Sequence, residues 1–306
     1  MYLDYEWLDF VDVRVVGAAR DEFTDADGAT RVADESSVRL ETKGGLLRAA
    51  DVDPPLFDAA ALNGISLQRG FRRALRSVFA LDGGPLGLLL DDAPGGLIAA
   101  GYVHAMAGST DPNSSAGRAA RAARPEGLEG PEAMGLRADL CAGWRADGTM
   151  MLSVTAGDAL PFLGTPPVPQ HPDGADGWPA LDIPAPGLRR HRRIDVVPDG
   201  DTWQIDAWFR DTYRAADGEC GALHEYTVNV EVDARDQTIR AITAIPHALP
   251  WDECPAAAAA VVKLAGLPLE GLRSSVPRSL IGVESCTHLT NELRELSDVP
   301  RMVAAL

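Results

Sequence analysis

The residue types best suited to chemistry lie in the last third of the chain. Cys286 and His288 are separated by one residue at the start of an amphipathic stretch, and Cys254 and His224 precede them. Thiolates and imidazoles are the ligands that zinc and iron prefer in proteins. The four side chains therefore predict one metal site, closed if all four bind and open to water or substrate if only three do.

Two carboxylates, Asp252 and Glu253, come directly before Cys254. Either can act as a general acid or base beside a metal-bound water, so both are predicted catalytic residues of a lyase or hydrolase. Asp252 has a second interpretation, because an Asp at this position is typical of a helix N-cap. His247, in a loop before Cys254, is a reserve ligand.

Three other interpretations of the cysteines stay open. A closed metal or iron–sulfur module would have no turnover of its own. A metal-free enzyme would use Cys286 and His288, since the start of a helix lowers the pKa of a thiol. Alternatively, Cys254 and Cys286 are small buried hydrophobic residues and His288 caps the helix.

An internal repeat favours a tandem duplication. Residues 20–28 match residues 210–218, and further similarities follow in the same order, with Pro85 aligned to Cys286. The spacing of about 190 residues between the copies indicates duplication of a whole domain. None of the four predicted ligands has a counterpart in the first copy. We therefore expect a degenerate first unit that covers the site in the second.

The order of the predicted strands and helices is that of an α+β protein. We expect two related units, each a small antiparallel sheet followed by helices packed on one face. Period-two alternation and turns predict strands over 194–197, 203–209, 226–232 and 238–245. Helical spacing and caps predict helices over 252–264, 270–280 and 288–296. The middle of the chain is predicted to hold a hairpin over 136–154, with Cys141 in its core, inside a Pro/Gly-rich connector. The expected division is 1–106, 107–187 and 188–306.

Composition excludes several function classes. The formal net charge of −17 argues against nucleic-acid partners and anionic membranes, both of which need a basic surface. The one basic cluster, residues 189–193, is expected to be a solvated face or to form salt bridges between the units, with an anion-binding patch as the alternative. Four cysteines without a secretory signal predict reduced thiols in the cytoplasm. Signatures for nucleotide binding and serine hydrolysis are absent, which argues against these two functions. The substrate expected for a metal-dependent enzyme is a small organic molecule. Self-association into a homo-oligomer stays an open alternative.

The segment from 188 to 296 resembles the uncharacterised bacterial family DUF2889. The resemblance rests on Cys286-Thr287-His288-Leu289, on His224 and Cys254, and on residues 266–269. It implies the same site but no reaction. The placement of cysteines at helix starts after a small sheet is also similar to iron–sulfur scaffold proteins of the IscU type.

Overall fold

A single antiparallel sheet of eight strands organises the protein. In this computed structural model the described residues are 1–8, 12–68, 70–79, 83–109, 137–156, 183–215, 218 and 220–305. The strands are β1 (Tyr2–Trp7), β2 (Val13–Thr24), β3 (Thr30–Lys43), β4 (Leu46–Asp53), β5 (Gly187–Asp199), β6 (Thr202–Arg214), β7 (Cys220–Asp233) and β8 (Ile239–Ala248). Their order across the sheet is β4-β3-β2-β1-β5-β6-β7-β8.

Alternation of side chains explains why the second half of the sheet forms. In β7, Tyr226, Val228, Val230 and Val232 are buried at every second position and join a large apolar cluster with the C-terminal helices. A second cluster covers strands β1–β4 together with the first two helices. The four strands predicted from the period-two pattern lie within β5 to β8 and are confirmed.

Seven α-helices follow or connect the strands in the described part of the chain. They are α1 (Phe71–Phe79), α2 (Gly84–Ser109), α3 (Thr149–Ala156), α4 (Ala256–Ala259), α5 (Leu272–Ser279), α6 (Thr287–Glu295) and α7 (Val299–Ala304). No helix among the described residues has the length and apolar character needed to cross a membrane. The helices predicted over 270–280 and 288–296 correspond to α5 and α6.

Helix α2 joins the two halves of the molecule. It contacts β1 and β2 from the first half and β5 and α6 from the second. Two glycines permit this close approach, because a Cβ atom at Gly95 would lie 2.1 Å from Nδ2 of Asn291 and one at Gly96 would lie 2.2 Å from the hydroxyl of Tyr5. The helix can therefore present side chains to residues of the C-terminal half.

Three sequence expectations differ from the structure. The strands form one continuous sheet, since β1 pairs with β5, and not two small separate sheets. The predicted hairpin is wrong, because residues 142–144 form a 3-10 turn and residues 149–156 form α3. The helix predicted over 252–264 is shorter, with α4 continuing into a 3-10 turn at Ala260–Leu264. Most of the predicted connector lies outside the described residues.

Candidate metal centre

The four predicted ligands meet at one small cavity. It has a volume of about 120 Å³, and His224, Cys254, Cys286 and His288 all line it. Cys141 lines it as well, so three thiols and two imidazoles surround one space. The remaining wall is largely apolar and is made by Ile98, Leu140, Gly143, Trp144, Pro250, Trp251 and Thr287.

The start of helix α6 positions two of the donors. Cys286 is the N-cap residue with extended backbone angles, and its Sγ atom lies 4.0 Å from Nδ1 of His288 in the first turn. The His288 ring stacks on the ring of His224, which comes from β7, with 3.6 Å between centroids and 22° between planes. A helix and the sheet therefore bring together residues that are distant in sequence.

His288 carries an unsatisfied polar atom. Its Nε2 is buried and has no hydrogen-bond partner. A buried polar group without a partner costs folding free energy and is rare in native proteins. A ligand atom bound by this nitrogen would remove that cost.

A chain of buried ionic hydrogen bonds orients His224. Its Nδ1 lies 3.2 Å from Oδ2 of Asp211, and the guanidinium of Arg190 donates two bonds to that carboxylate at 2.7 and 2.8 Å. Arg190 also donates to Asp92 of helix α2 at 2.9 Å. Because the ionised carboxylate accepts, Nδ1 of His224 carries the proton and Nε2 keeps its lone pair. Carboxylate partners of this kind are usual behind metal-binding histidines.

Burial sets the protonation of the donors. Desolvation lowers the pKa of His224 against the opposing effect of Asp211, and it lowers the pKa of His288 further with repulsion from His224. Both imidazoles are thus neutral at neutral pH, the form that binds metals. Desolvation also raises the pKa of Cys286, although the backbone N–H groups of Leu289 and His288 oppose it. Burial of Cys286 therefore opposes the thiolate that the helix start alone would favour.

The segment 137–156 closes one side of the cavity. The backbone N–H of Ala142 donates to the carbonyl of Ser285 at 2.8 Å, directly before Cys286. A Cβ atom at Gly143 would lie 2.7 Å from Sγ of Cys254, so glycine is needed for this approach. Burial raises the pKa of Cys141 to about 11, with a smaller effect from Cys286. The sequence interpretation placed Cys141 in a hairpin core, and only its neighbouring Gly143-Trp144 pair could have indicated tight packing.

Neither predicted acid/base carboxylate lines the cavity. Asp252 is exposed, and it does not cap α4, whose N-cap residue is Pro255. Oε1 of Glu253 accepts hydrogen bonds from the backbone and hydroxyl of Thr149 at 2.7 and 2.9 Å. Burial opposes ionisation of Glu253, but the bonds from Thr149 outweigh it and lower its pKa. Glu253 is therefore a cap for α3.

The reserve ligand His247 also lies elsewhere. Its Nε2 is 2.9 Å from the hydroxyl of Thr227 at an exposed position. Cys220 is exposed as well. The structure thus separates these two residues from the four predicted ligands.

The arginine cluster contributes more than the sequence indicated. Arg190 and Arg192 are buried and pair with Asp92 of the first half, which confirms the expected salt bridges between halves. Arg210 and Asp211 do not pair with each other, because neighbouring strand residues face opposite sides of the sheet. Arg210 bonds to Glu225 and Asp211 bonds to Arg190.

One family model matches the C-terminal part of the chain. Residues 188–301 match the model of a family described as a protein of unknown function, DUF2889. The match supports the resemblance stated from the sequence. The DUF2889 segment contains Asp211 and the four predicted ligands, whereas Cys141 and Asp92 lie before it. Comparisons with curated proteins and with solved structures give no match, so the similarity to IscU-type scaffolds stays a prediction.

Proposed function

We propose that the protein is a metal-dependent enzyme that binds one zinc or iron ion in the cavity and acts there on a small organic substrate. His224, Cys254, Cys286 and His288 would supply the ligands. The observation that carries the proposal is the unsatisfied Nε2 of His288, buried at a cavity that three thiols also line. An apolar core would not need this set of donors.

The proposed donors would need side-chain movements before they could surround a tetrahedral ion. Ligand atoms of Asp211, His224 and His288 lie within 4.8 Å of one another, and neither cysteine of the proposed set belongs to that group. Sγ of Cys286 lies 4.0 Å from Nδ1 of His288, whereas bonds of about 2.0–2.3 Å around tetrahedral zinc place ligand atoms roughly 3.5 Å apart. The stacked rings of His224 and His288 would also have to move apart for both to bind one ion. Asp211 is already bonded to Arg190 and is better suited to orient His224 than to bind the ion.

Turnover would require that only three of the five donors lining the cavity bind the ion. The fourth position would then stay open to a substrate oxygen. When bound, such an ion supplies Lewis-acid polarisation of a substrate oxygen. Trp144 and Trp251 would exclude water, and Asp211 would keep the Nδ1 proton of His224 in place. No carboxylate is among the described lining residues. A thiol or imidazole of the cavity that does not bind the ion would therefore carry the proton that the reaction transfers.

Cobalt titration of the metal-free protein tests the proposal. We expect one equivalent of Co²⁺ to give thiolate charge-transfer bands and the strong visible absorption of a tetrahedral site. Both should be lost in Cys286→Ser and Cys254→Ser and kept in the control Cys220→Ser, whose thiol is exposed. Octahedral, weak absorption that is identical in all four proteins would overturn the assignment of the ligands.

A metal-free cysteine enzyme is the second candidate, favoured by the 4.0 Å contact between Cys286 and His288. Burial opposes it, because the raised pKa of the thiol and the lowered pKa of the imidazole disfavour the thiolate–imidazolium pair. Rapid alkylation of Cys286 at neutral pH in the metal-free protein would favour this candidate. Slow alkylation would favour the metal site.

We also infer that the two halves arose by tandem duplication. Each contributes a four-stranded meander, with two register shifts in the first and three in the second. The shifts at Asp21 and Asp211 are 190 residues apart, as are those at Glu41 and Glu231. An isolated bridge then links each meander to the segment behind it, Leu46 to Ser66 and Thr238 to Pro268. Coincident irregularities of this kind are more specific than shared strands.

A further inference from the structure

A second feature beside the cavity is a groove with a concentration of positive charge. It has a volume of about 340 Å³ and lies between α1, α5 and α6. Four arginines line it, and the other lining residues are Pro277, Leu280, Ser285, Thr287, Thr290 and Asn291. The arginines are Arg72 and Arg76 from α1, Arg273 from α5 and Arg294 from α6. No carboxylate is among these residues.

Three of the groove's arginines share one carboxylate behind it. Asp91 lies 3.3 Å from Arg72, 3.5 Å from Arg76 and 2.8 Å from Arg294. Arg273 pairs with Glu295 at 2.7 Å. Within the described part of the chain, these three guanidinium groups therefore outnumber the carboxylate that they share.

The groove is graded from a buried floor to an accessible rim. The side chain of Arg294 is 5% exposed, that of Arg72 is 28% and that of Arg76 is 46%. Guanidinium groups bind phosphate and carboxylate oxygens through several hydrogen bonds, and these strengthen when water is excluded. A bound anion could therefore contact a desolvated arginine below and a mobile one above.

The negative charge of the rest of the chain makes the groove stand out as a place for an anion. The formal net charge is −17, so most of the surface repels anions. A local excess of positive charge on such a protein concentrates anions at that place. Three guanidinium groups around one carboxylate match a phosphate dianion better than a single carboxylate.

Thr287 connects the groove to the candidate metal centre. It lies between Cys286 and His288 in sequence and lines both the groove and the cavity. A molecule held by its acid group in the groove would therefore have its remaining atoms beside the cavity. We propose that the groove binds the phosphate group of a small organic molecule. That this molecule is the substrate rests on the proposed function, whereas phosphate binding itself does not.

Calorimetric titration with inorganic phosphate at low ionic strength tests the groove. We expect saturable binding to the wild type and, from the loss of a charge-assisted contact, at least about tenfold weaker binding to Arg76→Glu. Arg278→Glu is the matched control, because Arg278 lies on α5 outside the groove and donates to the Ser274 hydroxyl at 3.5 Å. The two charge reversals change the net charge equally. Arg76 is at the exposed rim, so its replacement leaves the fold intact, which thermal unfolding checks.

Three outcomes would overturn the proposed phosphate site: no saturable binding to the wild type, equal weakening by both charge reversals, or binding of acetate as tight as that of phosphate. Succinate, a dianion whose charges are further apart, should bind more weakly than phosphate. Cys286→Ser separates the two proposals, since it should keep phosphate binding while it loses the metal. Loss of metal binding in Arg76→Glu is not expected.

Discussion

The buried carboxyl of Glu292 makes the stability of the protein depend on pH. Desolvation raises its pKa to about 7, against attraction from Arg192 and Arg190 of β5 and the amino group of Met1, and with repulsion from Asp92 of α2. A group whose pKa is higher in the folded protein binds more protons there. The free energy of unfolding therefore falls as pH rises from the ordinary pKa of 4.5 toward 7.

Replacement of Glu292 by Gln should remove this dependence. Linkage between an ordinary pKa of 4.5 and a folded-state pKa of about 7 gives a loss of about 2–3 kcal/mol between pH 5 and pH 8. Because Gln resembles the protonated acid, Glu292→Gln should differ little from the wild type at pH 5 and be more stable by about 2–3 kcal/mol at pH 8. Urea denaturation at both pH values measures the difference.

Glu284→Gln is the control for the pH experiment. Glu284 is half exposed and pairs with Lys263 at the surface, so its removal should change neither stability nor its pH dependence. Glu295 has a similarly raised pKa and contributes equally to the wild type and to both variants. If the wild type and Glu292→Gln lose the same stability between pH 5 and pH 8, the buried network does not hold a protonated carboxyl.

Three further predictions concern the cavity. Asp211→Asn should weaken metal binding about 10–100-fold through loss of the acceptor for His224, measured by competition with a chromophoric chelator; unchanged affinity would refute the orienting role. Gly143→Ala should lower the free energy of unfolding by about 1–3 kcal/mol, since its Cβ would lie 2.7 Å from Sγ of Cys254, and a neutral result in thermal melts would contradict that contact. Mass spectrometry after brief alkylation should find Cys220 modified first, with the metal retained; the opposite order would mean that the cavity is open to reagents.

Local patterns were sufficient to predict much of the C-terminal half. Period-two alternation is a property of consecutive residues, and it located strands in β5 to β8. Helical spacing located α5 and α6 for the same reason. Pairing of β1 with β5 joins residues nearly two hundred positions apart, and no local pattern encodes it. The single sheet therefore could not be derived from the sequence alone.

The sequence was enough to name four donor residues of the candidate site, but it did not indicate the residues that surround them. Cysteine and histidine indicate metal chemistry by type, so four residues could be named before their positions were known. Asp211 and Arg190 were missed because arginine is seldom fully buried and gave no reason to expect a core network. Cys141 was missed because a short 3-10 turn has no periodicity. Glu253 was assigned to catalysis because sequence adjacency to Cys254 says nothing about where its side chain is bonded.

Metal content per chain tests the central claim most directly. The wild type and Cys286→Ser would be purified from cells without an affinity tag that binds metals. The metal content of both proteins would then be measured by elemental mass spectrometry. The account predicts close to one zinc or iron per wild-type chain and a large loss in the folded variant. Equal metal content in both proteins, or none in the wild type even after anaerobic purification and reconstitution, would contradict it.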